Sequence, residues 1–221
     1  MNMHNTVQNL IYIEEQIKSK IKDLNYNRIP KIIAVSKTFT IDKILPLIDY
    51  GHIDYGENKV QEAIDKWTTI KAKNENIKLH LIGKLQTNKV KLAVKIFDYI
   101  HSVDTEKLAI KIANEQLKQD KKVKVFIQIN IGNEEQKSGV KIEQVSNLCN
   151  LCKELNLNIV GLMCIPPNGD NSQNYFLEMN KINKGLNLTG LSMGMSEDYL
   201  EAAQNNATFL RIGSKIFGQR D

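Results

Sequence analysis

Short runs of apolar and β-branched residues recur along the whole chain, and segments with helical periodicity lie between them. Successive runs begin about 20 to 36 residues apart, which is the length of a strand, a loop and a helix together. The runs predict eight strands: Ile32–Ser36, Ile53–Gly56, Leu79–Gly83, Tyr99–Val103, Val123–Asn130, Ile159–Met163, Leu188–Met193 and Phe209–Ser214. The helical segments between them include Asp42–Tyr50, Lys59–Lys73 and Thr105–Lys118.

The predicted strands are almost continuously apolar, as expected of parallel strands that helices cover on both faces. Eight βα repeats predict an α/β protein, a single (β/α)8 TIM barrel that spans residues 1–221 as one domain. An open, doubly wound sheet would alternate in the same way, but no strand is followed by G-x-G-x-x-G or by G-x-x-x-x-G-K-[ST]. Residues 5–24 predict an extra N-terminal helix, whose buried stripe consists of Val7, Leu10, Ile11, Ile17, Ile21 and Leu24.

The composition is that of a folded protein, because 42% of the 221 residues are hydrophobic and 25% are charged. The net charge is +5, but basic and acidic residues are interspersed, which is typical of a solvated surface, so we expect no nucleic-acid partner. The N-terminus lacks a signal-peptide pattern, and no apolar run approaches the ~18 residues of a membrane helix. We therefore expect a cytoplasmic protein without a membrane partner.

The cysteines and histidines do not predict a redox or metal site. Cys149 and Cys152 form a C-x-x-C, but the surrounding sequence indicates a helix interior and offers no further ligands, which favours packing. The four histidines are scattered, and none forms a metal-binding pair with a carboxylate motif: His4, His52, His80 and His101.

A lysine stands at the end of the first predicted strand. Side chains alternate along a strand, so Lys37 shares a face with Ile33 and Val35 and reaches the rim of the barrel where barrel enzymes keep their active sites. The lysine could simply extend its ammonium group into solvent. Alternatively, partial desolvation would favour the neutral amine, which is the form that attacks a carbonyl group.

Polar residues at the ends of the last two predicted strands indicate an anion site. Arg211 lies inside FLRIG, where burial of its cation requires either a structural carboxylate or a ligand atom as acceptor. Gly213 and Ser214 follow it and offer backbone N–H groups, while Ser196 follows the seventh strand and could also cap the next helix. Barrels frequently bind phosphate between these two loops. A lysine, a phosphate site and an arginine together favour a phosphorylated carbonyl compound such as pyridoxal 5′-phosphate.

These motifs resemble the pyridoxal phosphate homeostasis protein family along most of the chain. The matching stretches are AVSKT (34–38), YGENKVQE (55–62), HLIGKLQTNK (80–89), HSVDT (101–105), QINIGNEEQKSGV (128–140), GLMCI (161–165), LSMGMSEDYLEA (191–202) and RIGSKIFGQR (211–220). The resemblance implies a barrel like the N-terminal domain of alanine racemase, in agreement with the eight-strand pattern. Phe39 and Thr40 depart from relatives that often carry a basic residue and a proline there.

The resemblance also implies roles for individual residues toward the cofactor. Lys37 matches the lysine that forms a Schiff base with its aldehyde, and Arg211 matches the arginine that faces its pyridine nitrogen. The other matches concern the phosphate, the ring and the pocket wall. They are Ser196, Gly213 and Ser214 around the phosphate, Met193 close to the ring, and Asn58 and His80 in the pocket wall.

The implied function is non-catalytic binding of pyridoxal phosphate in the storage, delivery and regulation of vitamin B6. The expected partners are the cofactor and apo forms of pyridoxal phosphate-dependent enzymes, and the expected assembly is a monomer or weak dimer. The sequence ends at Asp221 in the last predicted helix, so we expect no second domain to supply an opposing acid or base. Two alternatives stay open at this point: a small racemase or lyase that uses the cofactor, and a barrel that binds another phosphate.

Overall fold

The chain folds around a closed barrel of eight parallel strands. The computed structural model describes residues 3–22, 29–167 and 171–219. The strands are β1 (Lys31–Val35), β2 (Asp54–Glu57), β3 (Lys78–Leu81), β4 (Tyr99–Val103), β5 (Lys124–Ile129), β6 (Asn158–Cys164), β7 (Gly190–Ser192) and β8 (Phe209–Ile212). Each strand pairs in parallel with the next, and β8 pairs with β1. The predicted (β/α)8 barrel is therefore confirmed.

Helices connect the strands and cover the outside of the barrel. They are α1 (Asn5–Ile21), α2 (Ile41–Tyr50), α3 (Val60–Lys73), α4 (Val90–Ile96), α5 (Glu106–Gln119), α6 (Val145–Glu154), α7 (Ser172–Gly185), α8 (Tyr199–Gln204) and α9 (Ser214–Phe217). Two 3₁₀ turns, Thr87–Lys89 and Ile142–Gln144, lead directly into α4 and α6. Among the described residues, no helix is long and apolar enough to cross a membrane.

The predicted N-terminal helix is α1, which packs against α2, α8 and α9. Four residues of its predicted stripe are buried: Val7, Leu10, Ile17 and Ile21. Ile11 is only half-buried because it lies at the edge of that stripe, and Leu24 lies outside the described residues. The expectation that residues 1–221 form one domain stays a prediction.

Apolar side chains fill two separate layers. The larger layer lies between the strands and the helices, and it includes Cys149 and Cys152 on the inner face of α6. Both thiols are free, and burial raises the pKa of Cys152 to about 12, so the predicted packing role is confirmed. The smaller layer occupies the barrel interior and consists of Ile33, Tyr99, Phe126, Met163 and Phe209.

Candidate functional site

A cavity of about 780 Å³ opens at the C-terminal ends of the strands, where a barrel of this type places its chemistry. Its wall is formed by the end of β1 and by the loops that follow β2, β3, β6, β7 and β8. Six of the eight residues singled out from the sequence line it: Lys37, Asn58, Ser196, Arg211, Gly213 and Ser214. The structure thus brings together residues that are separated by up to 177 positions along the chain, from Lys37 to Ser214.

Lys37 reaches the cavity through the alternation of β1. Ile33 faces the barrel interior, Val35 lines the floor of the cavity, and Lys37 continues the same face two residues later. The side chain is half-buried, so it is not simply extended into solvent. A primary amine therefore stands at one side of the cavity beside an apolar wall.

Helix α3 holds the backbone on both sides of Lys37. Thr38 has a φ of 67°, in the left-handed region that is uncommon for a β-branched residue. Its N–H donates to the carboxylate of Glu62 at 2.6 Å, and Lys66 donates to the carbonyl oxygen of Ser36 at 2.9 Å. Burial raises the pKa of Glu62, but the hydrogen bonds from Thr38 and Lys66 outweigh this effect and lower it overall.

A buried carboxylate supports this arrangement from inside. Glu57 Oε1 accepts hydrogen bonds from Ser36 Oγ at 2.7 Å, from Trp67 Nε1 at 2.9 Å and from Lys66 Nζ at 3.0 Å. The motif YGENKVQE contains Glu57 and Glu62, but sequence reasoning assigned neither of them a role because their contacts depend on how α3 meets the end of β1. Both residues act on the loop that carries Lys37 rather than on the cavity itself.

The acceptors of Arg211 are neutral groups rather than a carboxylate. Its Nη1 donates to Ser192 Oγ and its Nη2 to the carbonyl oxygen of Cys164, both at 2.8 Å. None of the ion pairs among the described residues involves Arg211, although it is only 4% exposed. A guanidinium has five N–H donors, so the side chain retains donors for a ligand in the cavity.

The loops after β7 and β8 form the part of the wall next to β1, and they correct one expectation. Ser196 does not cap the following helix: α8 begins at Tyr199, and Asp198 occupies the cap position while its carboxylate accepts from the Met195 N–H at 2.6 Å. The tight turn made by Asp198 instead leaves Ser196 in the wall of the cavity, which Gly213 at the start of α9 also lines.

Two residues expected beside the cofactor do not line the cavity. Met193 follows Ser192 on the opposite face of the chain and packs in the outer layer, between the strands and the helices. His80 lies in the barrel interior, where its ring stacks on Tyr99 with a centroid distance of 4.3 Å. Ile82, which shares the face of His80 two residues closer to the rim, lines the cavity instead. Alternation along β3 is the signal that would have identified it.

Comparison with known proteins agrees with this geometry. The family model described as "Alanine racemase, N-terminal domain" matches residues 13–221, so fold and site define a barrel of that class. The pyridoxal phosphate homeostasis protein of Haemophilus influenzae is 35% identical over 98% of this chain and 97% of its own length. The protein of the same name from Aquifex aeolicus is 37% identical over 86% of this chain and 87% of its own. The chain therefore belongs to the pyridoxal phosphate homeostasis protein family.

Solved structures show the same relationship. PipY of Synechococcus elongatus without PLP has a TM-score of 0.85 and 30% identity, over 97% of this chain and all of that chain. PipY with PLP bound has a TM-score of 0.80 and 31% identity, over 91% of this chain. An alanine racemase of Clostridium difficile, with a TM-score of 0.72 and 15% identity, shares the fold over 57% of its own length.

Proposed function

We propose that this protein binds pyridoxal 5′-phosphate at the mouth of the barrel and serves vitamin B6 homeostasis as a non-catalytic carrier. The observation that carries the proposal is the convergence of a lysine amine, a buried guanidinium and two anion-binding loops on one cavity of about 780 Å³. That volume is typical of small-molecule sites. The names of its relatives, and the PLP bound in one solved relative, support the same ligand.

The residues present fit the cofactor group by group. Lys37 would face its aldehyde, and Arg211 would donate a hydrogen bond to its ring nitrogen. Ser196, Gly213 and Ser214 would hold its phosphate with a hydroxyl group and backbone N–H groups, because the first N–H groups of a helix have no partner within the helix. When bound, pyridoxal phosphate supplies an aldehyde that condenses with primary amines and a ring that withdraws electrons.

Arg211 favours carrying over catalysis. A permanent cation beside the ring nitrogen opposes protonation of that nitrogen and so weakens the electron withdrawal that strong carbanion stabilisation requires. Condensation with an amine does not need that protonation. The cofactor could therefore pass from Lys37 to a free amine and onward to an apo-enzyme without any carbanion chemistry.

The phosphate loops provide the first test of the proposed ligand. A Cβ atom at Gly213 would lie 3.3 Å from Val35 Cβ and 3.4 Å from the Val35 carbonyl oxygen, so a branched side chain there must displace the cavity wall. We expect Gly213→Val to weaken pyridoxal phosphate binding by about 10- to 100-fold, in line with charge-assisted hydrogen bonds of about 1.5–3 kcal/mol. Equilibrium dialysis against pyridoxal phosphate and pyridoxal measures the effect, which should be confined to the phosphorylated compound.

The matched control is Gly185→Val, at a glycine with open space around its Cβ position. It should bind pyridoxal phosphate as the wild-type protein does. Equal affinity of the wild-type protein for pyridoxal and its phosphate would contradict the assignment of the phosphate loops.

A second experiment separates the carrier from an enzyme. We expect no catalytic-scale deuterium exchange at the α-carbon of common amino acids in heavy water, together with reactivation of an apo-transaminase by the loaded protein. Exchange that disappears in Lys37→Ala would show a racemase-type enzyme instead. Absence of exchange, with transfer no faster than from free cofactor, would restrict the protein to storage or regulation.

A further inference from the structure

Five buried polar side chains form a continuous chain of hydrogen bonds through the barrel interior. Asp54 Oδ1 lies 2.9 Å from His80 Nε2, and His80 Nδ1 lies 3.0 Å from His101 Nε2. His101 Nδ1 then lies 2.8 Å from Ser192 Oγ, which accepts from Arg211 at 2.8 Å. None of the five residues is more than 4% exposed. These hydrogen bonds run from the first residue of β2, at the N-terminal end of the strands, to the cavity at their C-terminal ends.

The residues at the two ends of this hydrogen-bonded network determine which group donates at each step. Arg211 can only donate hydrogen bonds, and an ionised Asp54 can only accept them. Ser192 therefore accepts from Arg211 and gives its own proton to His101 Nδ1. With both rings neutral, all four hydrogen bonds can form only if His101 and His80 each carry the proton on Nε2. In each of the four hydrogen bonds the donor then lies on the side of the cavity and the acceptor on the side of Asp54.

The surroundings favour neutral, fixed rings. The rings of His80 and Tyr99 stack with centroids 4.3 Å apart, and those of His101 and Phe126 stack at 4.4 Å. Burial lowers the pKa of His80 despite the attraction of Asp54. Burial lowers the pKa of His101 well below its usual value of 6.5, and the positive charge of Arg211 acts in the same direction. A buried polar network of this size is costly unless its members are hydrogen-bonded, and here both nitrogens of each histidine ring have a partner.

We infer a positioning relay that holds Arg211 in place as a hydrogen-bond donor toward the ligand. The relay consists of Asp54, His80, His101 and Ser192. Ser192 is a stronger acceptor because it also donates to His101, and it holds Nη1 while the Cys164 carbonyl holds Nη2. The remaining N–H groups then serve an acceptor in the cavity, and an unprotonated aromatic nitrogen suits them. This inference rests on the proposed function, and it makes the relay a determinant of ligand selectivity.

Binding of two matched ligands tests the relay. The first ligand is pyridoxal phosphate, and the second is its analogue with a carbon in place of the ring nitrogen. We expect Ser192→Ala to weaken binding of pyridoxal phosphate by about three- to tenfold and of the analogue by less than twofold, as for one neutral hydrogen bond. Asp54→Ala should act in the same direction, and Asp54→Asn, which keeps an acceptor oxygen, should restore the wild-type affinity.

The matched control is Ser102→Ala in β4. Ser102 is also buried, and its hydroxyl group has no hydrogen-bond partner in the described part of the chain. We expect wild-type affinity for both ligands in this variant. Equal losses for the two ligands in Ser192→Ala would overturn the relay, because they would indicate general damage to the cavity rather than loss of the donor to the ring nitrogen.

Nitrogen-15 spectra of the histidines test the relay without variants or ligand. In the wild-type protein at neutral pH, His80 and His101 should both be neutral and protonated on Nε2. A proton on Nδ1 of either ring, or a doubly protonated ring, would overturn the inferred direction. A wild-type protein that binds neither ligand would overturn the proposed function, while the two tautomers would still decide the relay.

Discussion

Alanine in place of Lys37 should abolish the covalent labelling of this protein by pyridoxal phosphate and borohydride. Among the described residues that line the cavity, Lys37 is the one lysine, so under the proposed function its amine would meet the aldehyde there. Borohydride reduces the bond between the aldehyde carbon and the amine, which fixes a pyridoxyl group to one peptide. We expect about one label per chain, on the peptide that contains Lys37, and a visible absorbance band that disappears with the variant.

Two further variants make this result specific. Lys37→Arg keeps a positive charge at the rim but cannot condense with an aldehyde, so it should lose the label while retaining phosphate-dependent binding. Lys122→Ala removes an exposed lysine ahead of β5 and should be labelled as the wild-type protein is. A label that persists in Lys37→Ala, or that maps to another lysine in the wild-type protein, would contradict the assignment.

The barrel could be predicted from the sequence because its signal is local and repeated. Each strand is an apolar run a few residues long, and eight such runs at regular spacing leave few arrangements other than a closed barrel. Residues at the carboxyl ends of these runs could be assigned to the mouth of the barrel, because a parallel barrel places all of these ends at one face. Lys37 and Arg211 were found in this way, since alternation along one strand is sufficient to orient each of them.

Contacts between distant elements could not be predicted in the same way. Ser196 followed by two acidic residues is a common pattern of a helix start, but the helix begins later because Asp198 binds the Met195 N–H instead. His80 was expected at the pocket wall, whereas it lies one layer deeper, where Asp54 and His101 satisfy both ring nitrogens. These outcomes depend on which side chains meet across the barrel, and local patterns along the sequence do not show which distant residues come together.

The buried histidines should make the protein less stable as the pH falls from about 7.5 to about 5.5. Burial lowers the pKa of His80 and His101 in the folded chain, and it also lowers that of His52. In the unfolded chain these histidines titrate near 6.5. Below that pH the unfolded chain binds protons that the folded chain excludes, so stability is fully present above pH 6.5 and is lost toward the folded-state pKa values. Each proton difference contributes a slope of up to about 1.4 kcal/mol per pH unit.

Urea unfolding at a series of pH values measures this slope, and two variants identify its source. His101→Gln removes one buried titrating ring and should flatten the profile, whereas Ser102→Ala, at a buried residue that does not titrate, should leave the slope unchanged. The series ends at about pH 5.5 because burial raises the pKa of Asp104 and Asp198, which contribute with the opposite sign closer to the carboxyl range. The expected loss of stability arises because the folded barrel keeps these rings neutral. A flat wild-type profile, or an unchanged slope in His101→Gln, would therefore show that the rings take up protons in the folded state as well.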